Sequence, residues 1–265
     1  MSSEPQDGPP AQLTVALPVW KGSKIAWLAM EGLCNQDKAN GFAWELLVCE
    51  EAQPQQLTRA FFDGYRDRLA EKGCVAVHYF SPDAWIPLPM KWRMMGQAMA
   101  PTSRAFLLQA ADCYSFKERL NASWRSIAVD GNDWYDVSHG YFYSCLSGKL
   151  LLFYQSNADF TQLNMAMAAK HARTIPAASL RNCIDNFLLR QAVVATPTGQ
   201  FKHYIDQNTY AGVDTNGYNS ISVKRELYFS RSPARPFSAT DKQLEDIGLP
   251  EYIVERIRTS SELLG

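Results

Sequence analysis

The strongest constraint on this chain is a rhythm near its start. Short apolar runs alternate with longer stretches of helical periodicity. "LTVALPVW" (Leu13 to Trp20) is followed by "SKIAWLAMEGLCNQ", in which Ile25, Leu28, Ala29 and Leu33 share one helical stripe behind Ser23 as a candidate N-cap. "WELLVCEE" (Trp44 to Glu51) precedes a second amphipathic stretch marked by Leu57, Ala60, Phe61 and Leu69 and stopped at Gly73. "CVAVHYF" (Cys74 to Phe80), a helix within Pro89 to Ala98, and "RAFLLQA" before Asp112 complete the series. Runs that are apolar at consecutive positions read as strands buried on both faces. Alternation with short connections implies βαβ units: a mostly parallel central sheet with helices on both faces. In such sheets ligands bind at the carboxyl ends of the strands. That edge carries Pro18–Trp20, Glu50–Glu51 and Asp112.

The pattern changes beyond Trp124. "YFYSCLSGKLLLFYQ" predicts an antiparallel hairpin turning at Ser147-Gly148. Helices are expected over Thr161 to Ala169 and in "LRNCIDNFLLRQAVV". "GQFKHYI" reads as a strand, and "AGVDTNGYNSISVKRE" (Ala211 to Glu226) as a long loop. The segment from Asp241 to Leu264 is expected to be helical, with a break at Gly248-Leu249-Pro250. No linker or internal repeat separates the halves. The expectation is a flexible tail over 1–12, rich in proline and polar residues, and one domain over 13–265, with a nucleotide-binding half (13–115) and an acceptor-side half (116–265).

Composition narrows the function. With 265 residues, 46% hydrophobic, the chain can bury a large core, and a net charge of −1 argues against a broad grip on nucleic acid or an anionic membrane. No apolar run approaches the ~20 residues that span a bilayer. The six cysteines form no CxxC pair and no Cys/His cluster, which leaves buried, reduced thiols and a cytoplasmic setting as the expectation. Asn121-Ala-Ser123 matches the glycosylation pattern, but no secretion signal accompanies it. GxGxxG, GxxxxGK(S/T) and GxSxG are all absent, which disfavours a dinucleotide fold, a P-loop and a hydrolase elbow.

What remains is acidic residues at a sheet edge. A carboxylate at a strand end suits Mg2+ or Mn2+, which prefer oxygen ligands and bridge nucleotide phosphates. Asp112 reads in two ways: as a ligand of such a cation, or as a cap of the turn at Tyr114–Ser115.

These motifs together resemble a family 2 glycosyltransferase of the GT-A fold, a nucleotide-diphospho-sugar transferase. "LTVALPVW" resembles that family's opening strand, and "LCNQ" the end of its first helix. "WELLVCEEA" is similar to the strand whose acidic residues hold the donor's uracil or ribose. "AFLLQAADCYS" resembles the strand ending in the DxD signature, and "CIDNFLLRQA" the segment carrying the catalytic base. The resemblance implies inverting transfer from a nucleotide-diphospho-sugar, with a UDP-sugar expected, to a hydroxyl acceptor. It assigns Asp185 as general base, Asp112 as metal ligand, and Pro18, Trp20, Glu50, Glu51 and Lys91 to the donor. His203 would be a third metal ligand, with His171 a weaker candidate. Lys224 and Arg225 would meet the departing diphosphate. Two departures stand out: the acidic pair is Glu50-Glu51 rather than aspartates, and the DxD position reads Ala110-Ala111-Asp112. One carboxylate leaves both a metal-bound and a metal-independent version open. Each residue has a structural reading too: a solvent-facing turn for Lys91, Trp92 and Arg93, an ion pair with Arg181 or Arg190 for Asp185, core packing for Trp134, Tyr141 and Tyr143. A sugar-nucleotide nucleotidyltransferase and a non-catalytic glycan-binding protein are the alternative functions. The acceptor itself (glycan, small molecule, protein or modified nucleic acid) leaves no mark in the sequence.

Overall fold

The computed structural model describes residues 9–19, 25–50, 52, 56–144, 148–154, 165–178, 184–215 and 237–259. The four apolar runs form strands β1 (Leu13–Val19), β2 (Trp44–Glu50), β3 (Cys74–Phe80) and β4 (Ala105–Leu108). They lie parallel in the order β4-β1-β2-β3. Between them come α1 (Ala26–Cys34), α2 (Thr58–Asp63), α3 (Arg66–Glu71) and α4 (Leu88–Ala98). The second stretch expected as one helix is therefore two, interrupted at Gly64 and Tyr65.

Both faces of β1 are covered, which is why it reads as an unbroken apolar run. Leu13, Val15, Leu17 and Val19 pack on one face with Ala29, Met30 and Leu33 of α1, Phe62 of α2 and Leu69 of α3. Ala16, Phe106 and Leu108 face Trp92 and Met95 of α4 on the other. Burying each such large side chain contributes about 1.5–3 kcal/mol. Helix α1 exceeds the expected single stripe, since all nine of its residues are buried. Trp27 and Leu28 on its outer side enter a third core with Tyr114, Tyr141 and Ile253. Gly32 permits this sandwich: a Cβ there would stand 2.7 Å from the backbone nitrogen of Ser115.

The second half extends the sheet mainly antiparallel. The order continues β10-β7-β6-β8-β4, built from β6 (Trp134–Ser144), β7 (Lys149–Tyr154), β8 (Ala166–Ala168) and β10 (Phe237–Ala239). The predicted hairpin is β6–β7, with Ser144 opposite Lys149. Strand β5 (Cys113–Ser115) and the long β9 (His203–Thr215) pair with each other, and β9 also pairs with β6. Helix α5 (Arg119–Trp124) runs into a π-helical turn over Arg125–Val129. α6 (Ala169–Arg173) and α7 (Ile184–Val194) join α4 on its face, and α8 (Glu251–Thr259) closes the third core.

Two expectations are corrected. Ala166–Ala168, placed in a helix from the sequence, is β8, paired antiparallel to both β4 and β6. It fills the gap between two parallel strands whose backbone groups would otherwise lack partners. The expected loop at Ala211 is strand as far as Thr215. The tail follows expectation: a 3-10 turn (Leu244–Ile247), a left-handed Gly248 at φ 79°, then α8. No helix among the described residues is long and apolar enough to cross a membrane.

Candidate functional site

The chain leaves β1 through α1 to reach β2 on one side, and leaves β3 through α4 to reach β4 on the other. A crevice opens at the carboxyl edge where successive crossovers diverge in this way. Here the crossovers diverge between β1 and β4. Their ladder ends where the Gln109 N–H donates to the Ala16 carbonyl at 2.9 Å. Two residues on, half-buried Pro18 faces the same way and has no N–H to leave unpaired.

Lys91 is the first surprise. It is not on a solvent-facing turn: it is 2% exposed, and its ammonium donates to the carbonyl of Val19, the last residue of β1. Trp92 beside it is core, and Arg93 donates to the Ile175 carbonyl at 2.7 Å. Glu50, at the end of β2, is fully buried. Its Oε1 accepts from the Leu57 N–H at 2.9 Å and its Oε2 from the Tyr79 hydroxyl at 3.0 Å. Burial pushes the Glu50 carboxyl above its usual range, against the pull of these donors and of the Lys91 charge. Tyr79 responds in kind: burial and the Glu50 charge push its hydroxyl up to about 12. Glu50 also accepts from the backbone of Thr58, a β-branched residue held at φ 70°. Such a conformation costs on the order of 1–3 kcal/mol and survives where surrounding contacts impose it. Glu50 thus ties the start of α2 down beside the strand ends.

Asp112 lies half-buried in the turn between β4 and β5, so it does not cap a turn at Tyr114–Ser115, which is strand. What shapes this turn is Gln109, a residue the sequence reading passed over. Its Nε2 donates to the carbonyls of Ala110 (3.0 Å) and Cys113 (2.8 Å), and its Oε1 accepts from the Ser115 hydroxyl at 2.6 Å. The clue was visible as an amide inside an apolar run. A buried amide there must satisfy its hydrogen-bonding groups locally. The β5–β9 register sets Asp214 across from Cys113, so the backbone of a second acidic position runs beside the Asp112 turn.

The other candidates separate. His203 stands in register with Trp134, which pairs through Met167 with Phe106, below the end of β4. Its Nε2 meets Asp136 Oδ2 at 2.8 Å, and Trp134 Nε1 donates to the same oxygen at 3.1 Å. Burial pushes the Asp136 carboxyl above its usual range. His203 is thus engaged with a buried carboxylate in a cluster of its own. His171 Nε2 likewise stands 3.1 Å from a carboxylate oxygen, Asp133 Oδ1. Asp185 occupies the first turn of α7, which packs through Leu188 and Leu189 on the α4 face. Trp134, Tyr141 and Tyr143 are all buried in the core, and Tyr141 also lines a separate pocket. Trp20, Glu51, Lys224 and Arg225 lie outside the described residues. Among the described residues no three histidine, cysteine or carboxylate groups converge to hold a metal ion. A divalent cation at the Asp112 turn would therefore have to draw most of its oxygen ligands from outside the described residues, such as a bound ligand's phosphates.

No protein-family model matches the chain, and no characterised protein matches it in sequence. Solved structures do match. A 1–349 fragment of S. aureus TarS superposes with a TM-score of 0.58 at 12% identity, over 96% of this chain and 70% of the fragment. Its complex with UDP-GlcNAc gives 0.61 at 11%, over 80% of this chain and 60% of that one. The fold is GT-A. A mannosyltransferase from Pyrobaculum calidifontis, in complex with GDP-Man and Mn2+, agrees with a TM-score of 0.57 at 9% identity, over 88% of this chain and 69% of its own. The divergence between β1 and β4 thus lies in a sheet of the GT-A fold.

Proposed function

We propose that the chain is a glycosyltransferase that moves a sugar from a nucleotide-diphospho-sugar to a hydroxyl acceptor. The observation that carries this reading is the buried Lys91 ammonium at the end of β1, beside Glu50, on a GT-A sheet whose next strand ends at Asp112. A buried ammonium bonded to the carboxyl end of β1 puts positive charge behind the place where a diphosphate would sit, and the structural neighbours include complexes with UDP-GlcNAc and GDP-Man. A UDP-sugar is the proposed donor, with the base and ribose against Pro18, Trp20 and the Glu50–Glu51 strand end.

In the proposed reaction Asp185 accepts the proton of the acceptor hydroxyl. The freed oxygen attacks the anomeric carbon from the face opposite the diphosphate. The new C–O bond forms as the bond to the β-phosphate oxygen breaks, and its electron pair leaves with the nucleoside diphosphate, inverting the centre. Lys91, with Lys224 and Arg225, meets the charge that grows on that leaving group. Asp112 would hold Mn2+ or Mg2+, whose chemistry is to neutralise the diphosphate. Gln109 keeps the Asp112 turn in shape.

The test is a product assay with UDP-GlcNAc, UDP-glucose and GDP-mannose across an acceptor panel, with and without Mn2+. Release of nucleoside diphosphate that requires Asp185 supports transfer. Release of pyrophosphate points to a nucleotidyltransferase, and saturable UDP binding without turnover points to a binding protein.

A further inference from the structure

A second cavity, of about 520 Å3, lies away from the donor crevice. Asn35 in its wall follows the last residue of α1, so it stands about one helix length, ~14 Å, from the carboxyl edge of the sheet. The opposite wall comes from the 242–250 segment that leads into α8.

The chemistry of this cavity is specific. Phe116 stands edge-to-face with Tyr114 and with Tyr141, with centroids 6.3 Å away in both cases. Around these rings sit two amides: Asn208, and Asn35, whose Nδ2 already donates to the Tyr252 hydroxyl at 2.8 Å. The charges cancel: Lys117 and Lys242 against Glu118 and Asp246. Lys242 is partly committed, its Nζ 3.4 Å from the Tyr141 hydroxyl, and Asp246 accepts from the Gln243 N–H at 2.7 Å. A balanced lining gives no net attraction to a phosphate or a polyanion. Aromatic rings offer C–H surfaces a flat apolar partner, and amides both donate and accept, as a sugar hydroxyl does. The volume falls within the ~300–1,000 Å3 typical of small-ligand sites.

We infer that this cavity is a second carbohydrate site, which binds a neutral oligosaccharide against Phe116 with Asn35 and Asn208 bonding its hydroxyls. Binding there does not depend on the transferase reading. Its use, to hold the remote end of a glycan acceptor while the near end reacts, does rest on that reading.

The experiment is saturation-transfer NMR on the full chain, with maltotetraose, cellotetraose and chitotetraose as neutral probes and a heparin tetrasaccharide as the charged one. The expected result is transfer to at least one neutral probe and none to heparin. The signal should persist under saturating UDP with Mn2+ and fall at least fivefold in Asn208→Ala. Asn208 is exposed, so this variant leaves the core intact. Phe116→Ala, with its fold checked by circular dichroism, should abolish the signal. Absence of transfer to every neutral probe overturns the inference. So does a signal that UDP displaces and Asn208→Ala leaves unchanged, because that ligand occupies the donor crevice. If neutral probes bind here while no nucleotide-sugar binds anywhere, this site stands and the transferase reading falls.

Discussion

Lys91→Met separates what the ammonium does for the fold from what it does for a ligand. The side chain is 2% exposed, and its charge opposes the burial that raises the Glu50 carboxyl. Methionine keeps the stem and removes the charge. The fold then loses one charge-assisted hydrogen bond to the Val19 carbonyl, about 1.5–3 kcal/mol. It also escapes the desolvation of an ammonium, itself several kcal/mol. The two nearly cancel, so unfolding free energy should change by about 1 kcal/mol or less, roughly 2–4 °C in Tm for a chain of this size. A nucleoside diphosphate held by that ammonium loses the same class of contact with nothing in return, and its Kd should weaken about 10–100-fold. The pH dependence has a definite sign. Glu50 already binds its proton more tightly folded than unfolded, so stability falls as pH rises from the ordinary carboxylate range through the raised folded value. Losing Lys91 raises that value further, and the Tm deficit of the variant should grow as pH rises above the ordinary carboxylate range. Calorimetric titration of UDP with Mn2+, beside scanning calorimetry across pH, measures both. A Tm loss beyond ~8 °C with an unchanged Kd would refute the reasoning and leave Lys91 as a tie between α4 and β1.

Three further outcomes follow from other contacts. Gln109→Leu should leave secondary structure intact by circular dichroism yet abolish the Mn2+ dependence of UDP binding, because the Asp112 turn loses three bonds. Arg68→Ala should cost about 1.5–3 kcal/mol at pH 7, towards the lower end because the arginine side chain is 45% exposed. Burial works against the Glu31 charge, but Arg68 and Tyr252 outweigh it and hold that carboxyl below its usual range. The contribution is therefore present above the ordinary carboxylate range and lost as pH falls through the lowered folded value, so urea titrations of the two proteins should converge in acid. Arg119→Met should leave Tm unchanged or raise it in scanning calorimetry: the guanidinium is buried, its Nε and one Nη find no hydrogen-bond partner among the described residues, and burial pulls it down to about 10.

The first half of the fold was legible because a parallel sheet covered on both faces imposes continuous apolar runs. Cys74–Phe80 was bounded to the residue, and Trp44–Glu51 ran one residue past β2. Local signals failed where pairing decided. "MAMAA" carries helix-forming residues, yet the open edges of β4 and β6 draw Ala166–Ala168 into a strand. At the site, the sequence pointed to the strand ends but not to the state of their side chains. A lysine on an amphipathic helix looks solvated until the helix is laid across the end of β1. The pairing of His203 with Asp136 joins residues far apart in sequence and leaves no local trace. Gln109 was readable in principle, as an amide inside an apolar strand. The sequence places Glu50 at a strand end as a donor contact but carries no sign of its burial, which follows from the Tyr79 hydroxyl and the Leu57 N–H reaching it from neighbouring segments.

The central claim is that the crevice between β1 and β4 grips a nucleotide-diphospho-sugar. Thermal-shift titration of the intact chain with UDP-GlcNAc, UDP-glucose and GDP-mannose, each with and without Mn2+, tests it most directly. At about 100 times Kd, a ligand that binds only the folded state adds about 2.7 kcal/mol, a rise of roughly 5–10 °C. Such a rise is expected for at least one donor, diminished in Lys91→Met. Flat melting curves for every donor in both conditions would contradict it.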